Sequence, residues 1–213
     1  MVTRREFLGV MLMSATSVHA QQAGPVKLPP PQLDGAMSLT QALSARRSSR
    51  AFALRKLPAQ TLSNLLWAAF GINRPDTGGR TAPSAHNWQE IDLYVALEEG
   101  TYVYYAKAHT LVPVSDADLR AKTGQQEFVG IAPLDLVYVA NYGRMGPGNE
   151  PEKQFLAACD TGFIAQNVYL ACASEGLGTV VRGWVDRDEL GKALGLKRGQ
   201  HVMLAQTVGY PAG

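Results

Sequence analysis

The sequence predicts a single α+β domain, in which helices and strands mix without a strict strand–helix alternation. Its 213 residues, 46% of them hydrophobic and 18% charged, are enough to bury one sizeable core. Alternating or continuous apolar runs predict strands, and amphipathic runs that begin at capping residues predict helices. Beyond one proline run, the sequence has no repeat or low-complexity segment. These observations favour one mixed domain over two.

The first 20 residues have the order of an export signal. Arg4 and Arg5 precede a short apolar run over residues 8–18, and small residues lead to Ala20. The paired arginines resemble the twin-arginine (Tat) signal peptide, so we expect cleavage after Ala20 and a periplasmic or otherwise exported protein. A general secretory signal is the alternative. The run is shorter than the roughly 20 residues that span a bilayer, so no stable membrane anchor is expected.

The next segment, residues 21–37, is rich in Pro and Gln, which predicts a tether or an arm. The domain is expected over residues 38–213. Ser38 or Thr40 is expected to cap a short helix, and Pro58 suits the first turn of a second helix. This second helix is expected to end at Gly71.

Strands are predicted where apolar residues alternate or run continuously. Alternation over residues 91–97 predicts one strand, and a turn at residues 99–100 leads into a second over residues 102–105. Ser115 is expected to cap another short helix. The nearly continuous apolar run over residues 134–140 predicts a strand that is buried on both faces, at the centre of the sheet.

A long helix is predicted over residues 152–174. Its apolar residues are distributed over almost the whole circumference of the helix, so the helix should be buried on several sides. A dimer interface would provide that burial. Cys159 and Cys172 lie thirteen positions apart on this helix. That separation is roughly 20 Å, too far for a disulfide, so both are expected to be small buried hydrophobic residues.

The C-terminal part is predicted to return to the sheet. A strand is expected over residues 179–181, and the last strand over residues 202–208. Between them, Asp186 and Glu189 form an acidic capping box for a helix that reaches Leu194.

Several classes of function are disfavoured. A formal net charge of +2 is too small, and the basic residues too scattered, for nucleic-acid binding. The four histidines lack the spacing of metal ligands, so no metal is expected. The sequence has no dinucleotide-binding glycine fingerprint and no nucleophile elbow. This pattern suggests that a bound cofactor carries the chemistry.

Four segments are candidates for a binding site. Residues 46–50 combine arginines and serines, which suit a phosphate and a polyol chain, although a solvated basic face is the alternative. Residues 83–89 form a polar loop, which either lines a site or only connects two elements. Its His86 is either an acid–base group or an ordinary loop histidine. The other two segments are residues 125–126 and the glycine-containing residues 176–183.

Taken in order, these segments resemble the nitroreductase family, and more particularly its SagB-type, azoline-dehydrogenase-like branch. The resemblance covers nearly all of the mature chain. It rests on several motifs in the family's order: residues 28–31 with 38–52, residues 83–89, residues 124–133, residues 165–171, residues 176–179 and residues 209–211.

The resemblance implies a three-layer sandwich, with a central, mostly antiparallel sheet flanked by helices, and a homodimer that holds FMN at its interface. It implies two-electron hydride transfer through the flavin N5 atom, on a nitro, quinone or small heterocyclic or peptide substrate. NAD(P)H is one candidate donor, although it is expected to be scarce in the periplasm. The implied cofactor-binding residues are Arg46, Arg47, Ser48 and Arg50 for the phosphate and ribityl chain, Pro83, Ser84, Ala85 and Asn87 for the partner subunit's flavin, Gln126 or Gln125 for the pyrimidine edge, and Arg182 and Gly183 near N5.

Two features differ from the pattern of many relatives. The sequence stops at Gly213, where many relatives continue into an arm with basic phosphate ligands, so phosphate binding is expected to rest on the N-terminal arginines. Glu90 and Ile91 stand where Pro-Trp is usual, which predicts a different pocket rim. The alternative to an enzyme is a non-enzymatic flavin-binding or degenerate dimeric scaffold.

Overall fold

The computed structural model describes residues 24–34 and 37–212. The expected signal peptide over residues 1–20 and its cleavage after Ala20 lie outside the described residues. None of the helices in these described residues is long and apolar enough to cross a membrane. The described residues also contain no group of three or more His, Cys, Asp or Glu side chains placed to hold a metal ion.

Nine strands and four α-helices alternate irregularly over the described residues. In chain order they are β1 (Val26–Lys27), α1 (Leu39–Ala45), α2 (Ala59–Phe70), β2 (Ile72–Arg74), β3 (Gly79–Arg80), β4 (Ile91–Leu97), β5 (Gly100–Tyr105), β6 (Thr110–Ser115), β7 (Leu134–Asn141), α3 (Glu150–Ser174), β8 (Gly178–Arg182), α4 (Arg187–Ala193) and β9 (Gln200–Gly209). Short 3₁₀ helices lie at Ala85–Asn87, Arg120–Thr123 and Tyr142–Arg144.

Seven of these strands form one sheet in the order β1-β6-β5-β4-β7-β9-β8, and every neighbouring pair is antiparallel. The two remaining strands, β2 and β3, form a small separate hairpin. The α+β class and the mostly antiparallel sheet predicted from the sequence are confirmed.

Helices cover both faces of the sheet, which gives three layers. Successive side chains of a strand point to opposite faces. In β7, Leu136 and Tyr138 pack into the cluster that contains residues of α2 and α3, whereas Val137 and Val139 pack against α4. All four side chains are fully buried. The prediction that this strand is buried on both faces is confirmed, and β7 lies fifth of the seven strands.

Local capping fixes the helix boundaries close to those predicted. The Ser38 side chain accepts a hydrogen bond from the N–H of Gln41 in a complete capping box at the start of α1. Pro58 precedes α2, and Gly71 ends it. The Asp186 side chain accepts the N–H of Glu189 at the start of α4, although the reciprocal half of the expected box is not formed.

The N-terminal segment is packed more closely than a tether. Val26 and Lys27 pair with Leu111 and Thr110 at the edge of the sheet, and Leu28 is only 5% exposed. An edge strand has unpaired N–H and C=O groups, and this segment satisfies those of β6. Packed structure therefore begins before residue 38, the boundary expected from the sequence.

Two other local expectations were wrong. Ser115 does not cap a helix: it ends β6, and its hydroxyl accepts the N–H of Ala117 in a local turn. Cys159 is exposed rather than buried, because one face of α3 has no cover within the single chain. Cys172 is buried, and both cysteines are free.

Candidate functional site

The arginine–serine segment, residues 46–50, leaves α1 and runs beside the edge strand β8. Ser48 forms a bridge with Thr179, and the N–H of Ser49 donates to the carbonyl of Thr179 at 2.9 Å. Arg47 and Arg50 are exposed. Within the described residues, none of the segment's arginines forms an ion pair with an acidic side chain. The segment therefore carries concentrated positive charge without internal compensation.

Tyr169 of α3 connects this segment to the sheet. Its hydroxyl lies 2.9 Å from the hydroxyl of Ser48 and accepts the N–H of Val181 at 3.0 Å. The guanidinium carbon of Arg46 lies 5.3 Å from the centre of the Tyr169 ring, within reach of a cation–π contact. Sequence reasoning placed Tyr169 in a family motif without assigning it to the site. A small cavity of about 140 Å³ lies beside it, lined in part by Arg47, Ser49, Gly176 and Thr179.

Two glycines allow the segment to approach the sheet. A Cβ atom on Gly178 would lie 2.9 Å from the Cβ of Ser49, and one on Gly209 would lie 2.7 Å from the Pro133 ring. Contacts that short are not tolerated, so a larger residue at 178 would push Ser49 away from β8, and one at 209 would push Pro133, and to a smaller extent Phe52, away from β9. The close approach of neighbouring residues therefore explains why glycine stands at positions 178 and 209.

The other end of β8 brings Gln126 and Arg182 together. Arg182 is 3% exposed and donates to the carbonyl of Thr123 at 2.6 Å and to Oδ1 of Asp135 at 2.7 Å. Its Nε and the Oε1 of Gln126 are buried atoms without a hydrogen-bond partner in the described residues. A Cβ on Gly124 would lie 1.8 Å from Nη1 of Arg182 and 2.8 Å from Oε1 of Gln126, so both side chains border this glycine. Two side chains beside Gly124 thus each carry one unsatisfied polar atom, a donor on Arg182 and an acceptor on Gln126.

A buried ion pair fixes the position of Arg182. Burial raises the pKa of the Asp135 carboxyl to about 7, while the Arg182 guanidinium and the Thr207 hydroxyl oppose that rise. Burial also lowers the pKa of Arg182. Gly183 follows Arg182 and is exposed, and the N–H of Gln125 donates to the carbonyl of Trp184 at 3.2 Å. The hydrogen bonds of Arg182 to Thr123 and of Gln125 to Trp184 therefore hold the 182–184 backbone beside residues 123–126, while the ion pair joins Arg182 to β7.

The loop over residues 83–89 is strained. His86, Asn87 and Gln89 have φ values of 51°, 55° and 49°, in the left-handed region that residues other than glycine rarely adopt. Pro83 and Asn87 are exposed, and Ser84 and Ala85 are half-buried. Such strain persists only where surrounding contacts hold the backbone in place.

Several hydrogen bonds hold this loop, and two of them join the Gln89 side chain to the Arg80 side chain at 2.8 Å and to the carbonyl of Gly78 at 3.1 Å. The N–H of Ala85 donates to Oδ2 of Asp160 on α3 at 2.8 Å, and the N–H of Gln89 donates to Oγ of Ser84 at 3.0 Å. Glu90, which follows the loop, is fully buried next to Asp160. Sequence reasoning missed Asp160, although a carboxylate within a largely apolar helix was an available signal.

The structure does not bring this loop to the arginine–serine segment of the same chain. Their anchors on α3, Asp160 and Tyr169, lie nine positions apart, which is roughly 14 Å along a helix. The predicted residues thus form one strip along β8, with Arg46, Arg47, Ser48 and Arg50 at its start and Gln126, Arg182 and Gly183 at its end. Pro83, Ser84, Ala85 and Asn87 form a separate group.

Known proteins match this chain over most of its length. The model of the nitroreductase family matches residues 43–210. A relative from Methanocaldococcus jannaschii, provisionally named a nitroreductase, is 32% identical over 183 residues, covering 81% of this chain and 91% of the relative. A crystal structure from Ralstonia eutropha, also provisionally named a nitroreductase, is 43% identical with a TM-score of 0.86 and covers 97% of both chains. The NADPH:FMN oxidoreductase of Vibrio harveyi, solved with NAD⁺, shares the fold at 21% identity and a TM-score of 0.63, over 82% of this chain and 69% of that one.

Proposed function

The chain belongs to the nitroreductase family, and from this premise we propose that it is an FMN-dependent oxidoreductase that transfers two electrons as a hydride. The observation that carries the proposal is the strip along β8, with uncompensated arginines at one end and unsatisfied polar atoms at the other. Its five residues extend over roughly 15 Å, a length that suits a phosphate, a polyol chain and a ring system in line. The Vibrio harveyi relative, which is named for FMN and shares the fold, supports this choice.

The start of the strip would hold the phosphate and ribityl chain. Arg46, Arg47 and Arg50 offer guanidinium groups that form strong, charge-assisted hydrogen bonds with phosphate oxygens. Ser48 adds a hydroxyl that Tyr169 keeps at the edge of β8. Because no acidic side chain in the described residues pairs with these arginines, an anion would meet little internal competition.

The end of the strip would hold the flavin ring. The unsatisfied Oε1 of Gln126 accepts a hydrogen bond and the unsatisfied Nε of Arg182 donates one, which fits the N–H and C=O groups of a pyrimidine edge. Gly183 would leave room for the ring near N5. FMN, when bound, supplies the two-electron chemistry, while these residues bind and orient it.

We also propose a homodimer, because the site of one chain is incomplete. Pro83, Ser84, Ala85 and Asn87 are anchored roughly 14 Å along α3 from the arginine–serine segment of their own chain, and they would reach the flavin of a partner subunit. An uncovered face of α3 carries the exposed side chains of Phe155 and Phe163, which are 66% and 48% exposed. Large exposed aromatic side chains on a helix of a folded chain favour burial against a second subunit.

Four finer proposals rest on the sequence and its resemblance to the family. The Arg4-Arg5 pattern supports twin-arginine export to the periplasm, and the motif order supports the SagB-type branch. A nitro, quinone or small heterocyclic or peptide compound would be the substrate. NAD(P)H would be the electron donor for a reductase, whereas a quinone or oxygen would be the acceptor for a dehydrogenase.

Anaerobic reduction of the FMN-loaded protein tests the function. NADH, NADPH and candidate reduced substrates would be added in turn while the visible flavin absorption is followed. Bleaching by one of them, and recovery on addition of a quinone or a nitro compound, is expected for the oxidoreductase. Flavin that dithionite bleaches but that no biological donor reduces would contradict it and support a flavin-binding scaffold.

A further inference from the structure

Glu90 places a carboxyl group in the interior without a partner. Its side chain is fully buried, and within the described residues neither carboxyl oxygen has a hydrogen-bond partner. Asp160 of α3, which lies beside it, is only 2% exposed. A buried carboxylate without donors is strongly unfavourable, so a proton on this pair is the stable arrangement.

The surrounding charges favour the same conclusion. Burial raises the pKa of Glu90 to about 7, and the neighbouring Asp160 carboxyl contributes to that rise. Arg144, after β7, opposes it, but this guanidinium forms an ion pair with Asp92 of β4 at 2.6 Å and also donates to the Glu90 carbonyl at 3.0 Å. Lys153 of α3 donates to the backbone carbonyl of Tyr142. The pair is thus left without a dedicated cation.

The pair is connected to the strained loop by a direct hydrogen bond. Oδ2 of Asp160 accepts the N–H of Ala85, and the next two residues of the loop have left-handed backbone conformations. Because such a backbone needs contacts to maintain it, the hydrogen bond from Ala85 to Asp160 is one of those that keep the loop in its shape, beside the bonds of Gln89 to Arg80 and Gly78.

We infer that Glu90 and Asp160 share one proton, and that this shared proton holds residues 83–89 in place. With the proton present, the two carboxyl groups hydrogen-bond to each other and Asp160 remains aligned with Ala85. Loss of the proton leaves two like charges in contact in the interior, which drives the carboxyl groups apart and weakens the Ala85 anchor. Glu90 and Asp160 are positioning residues, and their effect on FMN rests on the proposed contact of this loop with a partner subunit's flavin.

Hydrogen exchange on the cofactor-free protein tests the pair itself. The variants Glu90→Gln and Asp160→Asn replace the shared proton with an amide N–H that does not titrate. From pH 6 to pH 9, corrected protection of the Ala85 amide should fall by about tenfold or more in the wild type and stay constant in both variants. Asp188→Asn, an equal charge change at an exposed residue, should follow the wild type. Equal pH dependence in the wild type and in both amide variants would overturn the inference.

Titration with FMN over the same pH range tests the connection to the cofactor. The Kd for FMN should rise with pH in the wild type and remain flat in Glu90→Gln and Asp160→Asn. Loop protection that responds to pH while the Kd of all forms stays equal would overturn this connection. If no form binds FMN at any pH, the proposed function fails, whereas the exchange measurement still decides whether the proton is shared.

Discussion

The hydroxyl of Ser48 is hydrogen-bonded to the hydroxyl of Tyr169 at 2.9 Å, which joins the arginine–serine segment to the long helix α3. The same Tyr169 oxygen accepts the N–H of Val181 in the edge strand β8. One side chain therefore links the helix, the strand and the segment that would bind the FMN phosphate. The site depends on this link as well as on the residues that would contact the cofactor.

Replacing Tyr169 with Phe removes the link while keeping the ring. Each lost hydrogen bond contributes roughly 0.5–1.5 kcal/mol to folding, so the free energy of unfolding should fall by roughly 1–3 kcal/mol. The Kd for FMN should also rise, by about threefold to tenfold, because Ser48 is no longer held at the edge of β8. Fluorescence titration measures this affinity. Tyr105→Phe, at an exposed tyrosine of β5, is the matched control and should bind like the wild type. A Tyr169→Phe protein with unchanged affinity would show that the link does not support the site.

Removing the arginines tests the phosphate site. Arg46→Ala and Arg50→Ala should each raise the Kd for FMN by about tenfold to a hundredfold, because hydrogen bonds to charged groups contribute roughly 1.5–3 kcal/mol. The residual binding should also depend less on salt. Arg198→Ala, at an exposed arginine away from β8, should leave the Kd unchanged. Equal affinities in all three variants would place the phosphate elsewhere.

The buried ion pair of Asp135 and Arg182 should contribute strongly to the free energy of unfolding. Asp135→Asn leaves the guanidinium charge in the interior without its partner, so the free energy of unfolding should fall by roughly 3–5 kcal/mol. Urea denaturation measures the change. Glu98→Gln breaks an exposed ion pair with Lys56 and should leave stability nearly unchanged. Equal effects of the two substitutions would contradict the buried ion pair.

The N-terminal segment around Pro29 should detach more readily from the domain at acid pH. The hydroxyl of Ser63 donates to the carbonyl of Pro29 at 2.6 Å, and Nε2 of His109 lies 2.7 Å from that hydroxyl. The Tyr104 hydroxyl lies 2.8 Å from Nδ1 of His109, an arrangement that suits the neutral imidazole. Burial lowers the pKa of His109 from its usual value of 6.5, while the Pro29 carbonyl partly offsets this.

The sign of the pH effect follows from that lowered pKa. The contribution of His109 is present above about pH 6.5 and is lost as the pH falls through its lower value in the folded state. Limited proteolysis of the N-terminal segment should therefore accelerate in mild acid. His109→Gln, which does not titrate in this range, should show no such acceleration beyond the change in protease activity. Cleavage that accelerates equally in both proteins would contradict the role of His109.

Local chemistry explains why much of the fold was predictable. Ser38 caps α1 through bonds within four residues, and β7 shows its burial directly in its composition. The order of family motifs also located the residues at both ends of β8. The capping box and the strand depend only on short stretches of sequence, whereas the motif order draws on nearly the whole chain.

Long-range pairings were not predictable in the same way. The contact of Val26 with Leu111 turns part of an expected tether into a strand, and no local pattern indicates it. Arg182 was expected at the cofactor, yet most of its hydrogen bonds go to Thr123 and Asp135, far away in sequence. A polar residue within an apolar stretch signals such a pairing but does not identify its partner.

The visible absorption spectrum of the protein purified from residue 21 onward shows whether the strip along β8 holds FMN. A yellow protein with flavin bands, which releases stoichiometric FMN on denaturation and loses it in Arg46→Ala and Arg50→Ala, is the predicted result. A folded, colourless protein that also fails to bind added FMN would show that the strip along β8 holds no flavin, and the proposed function would be wrong.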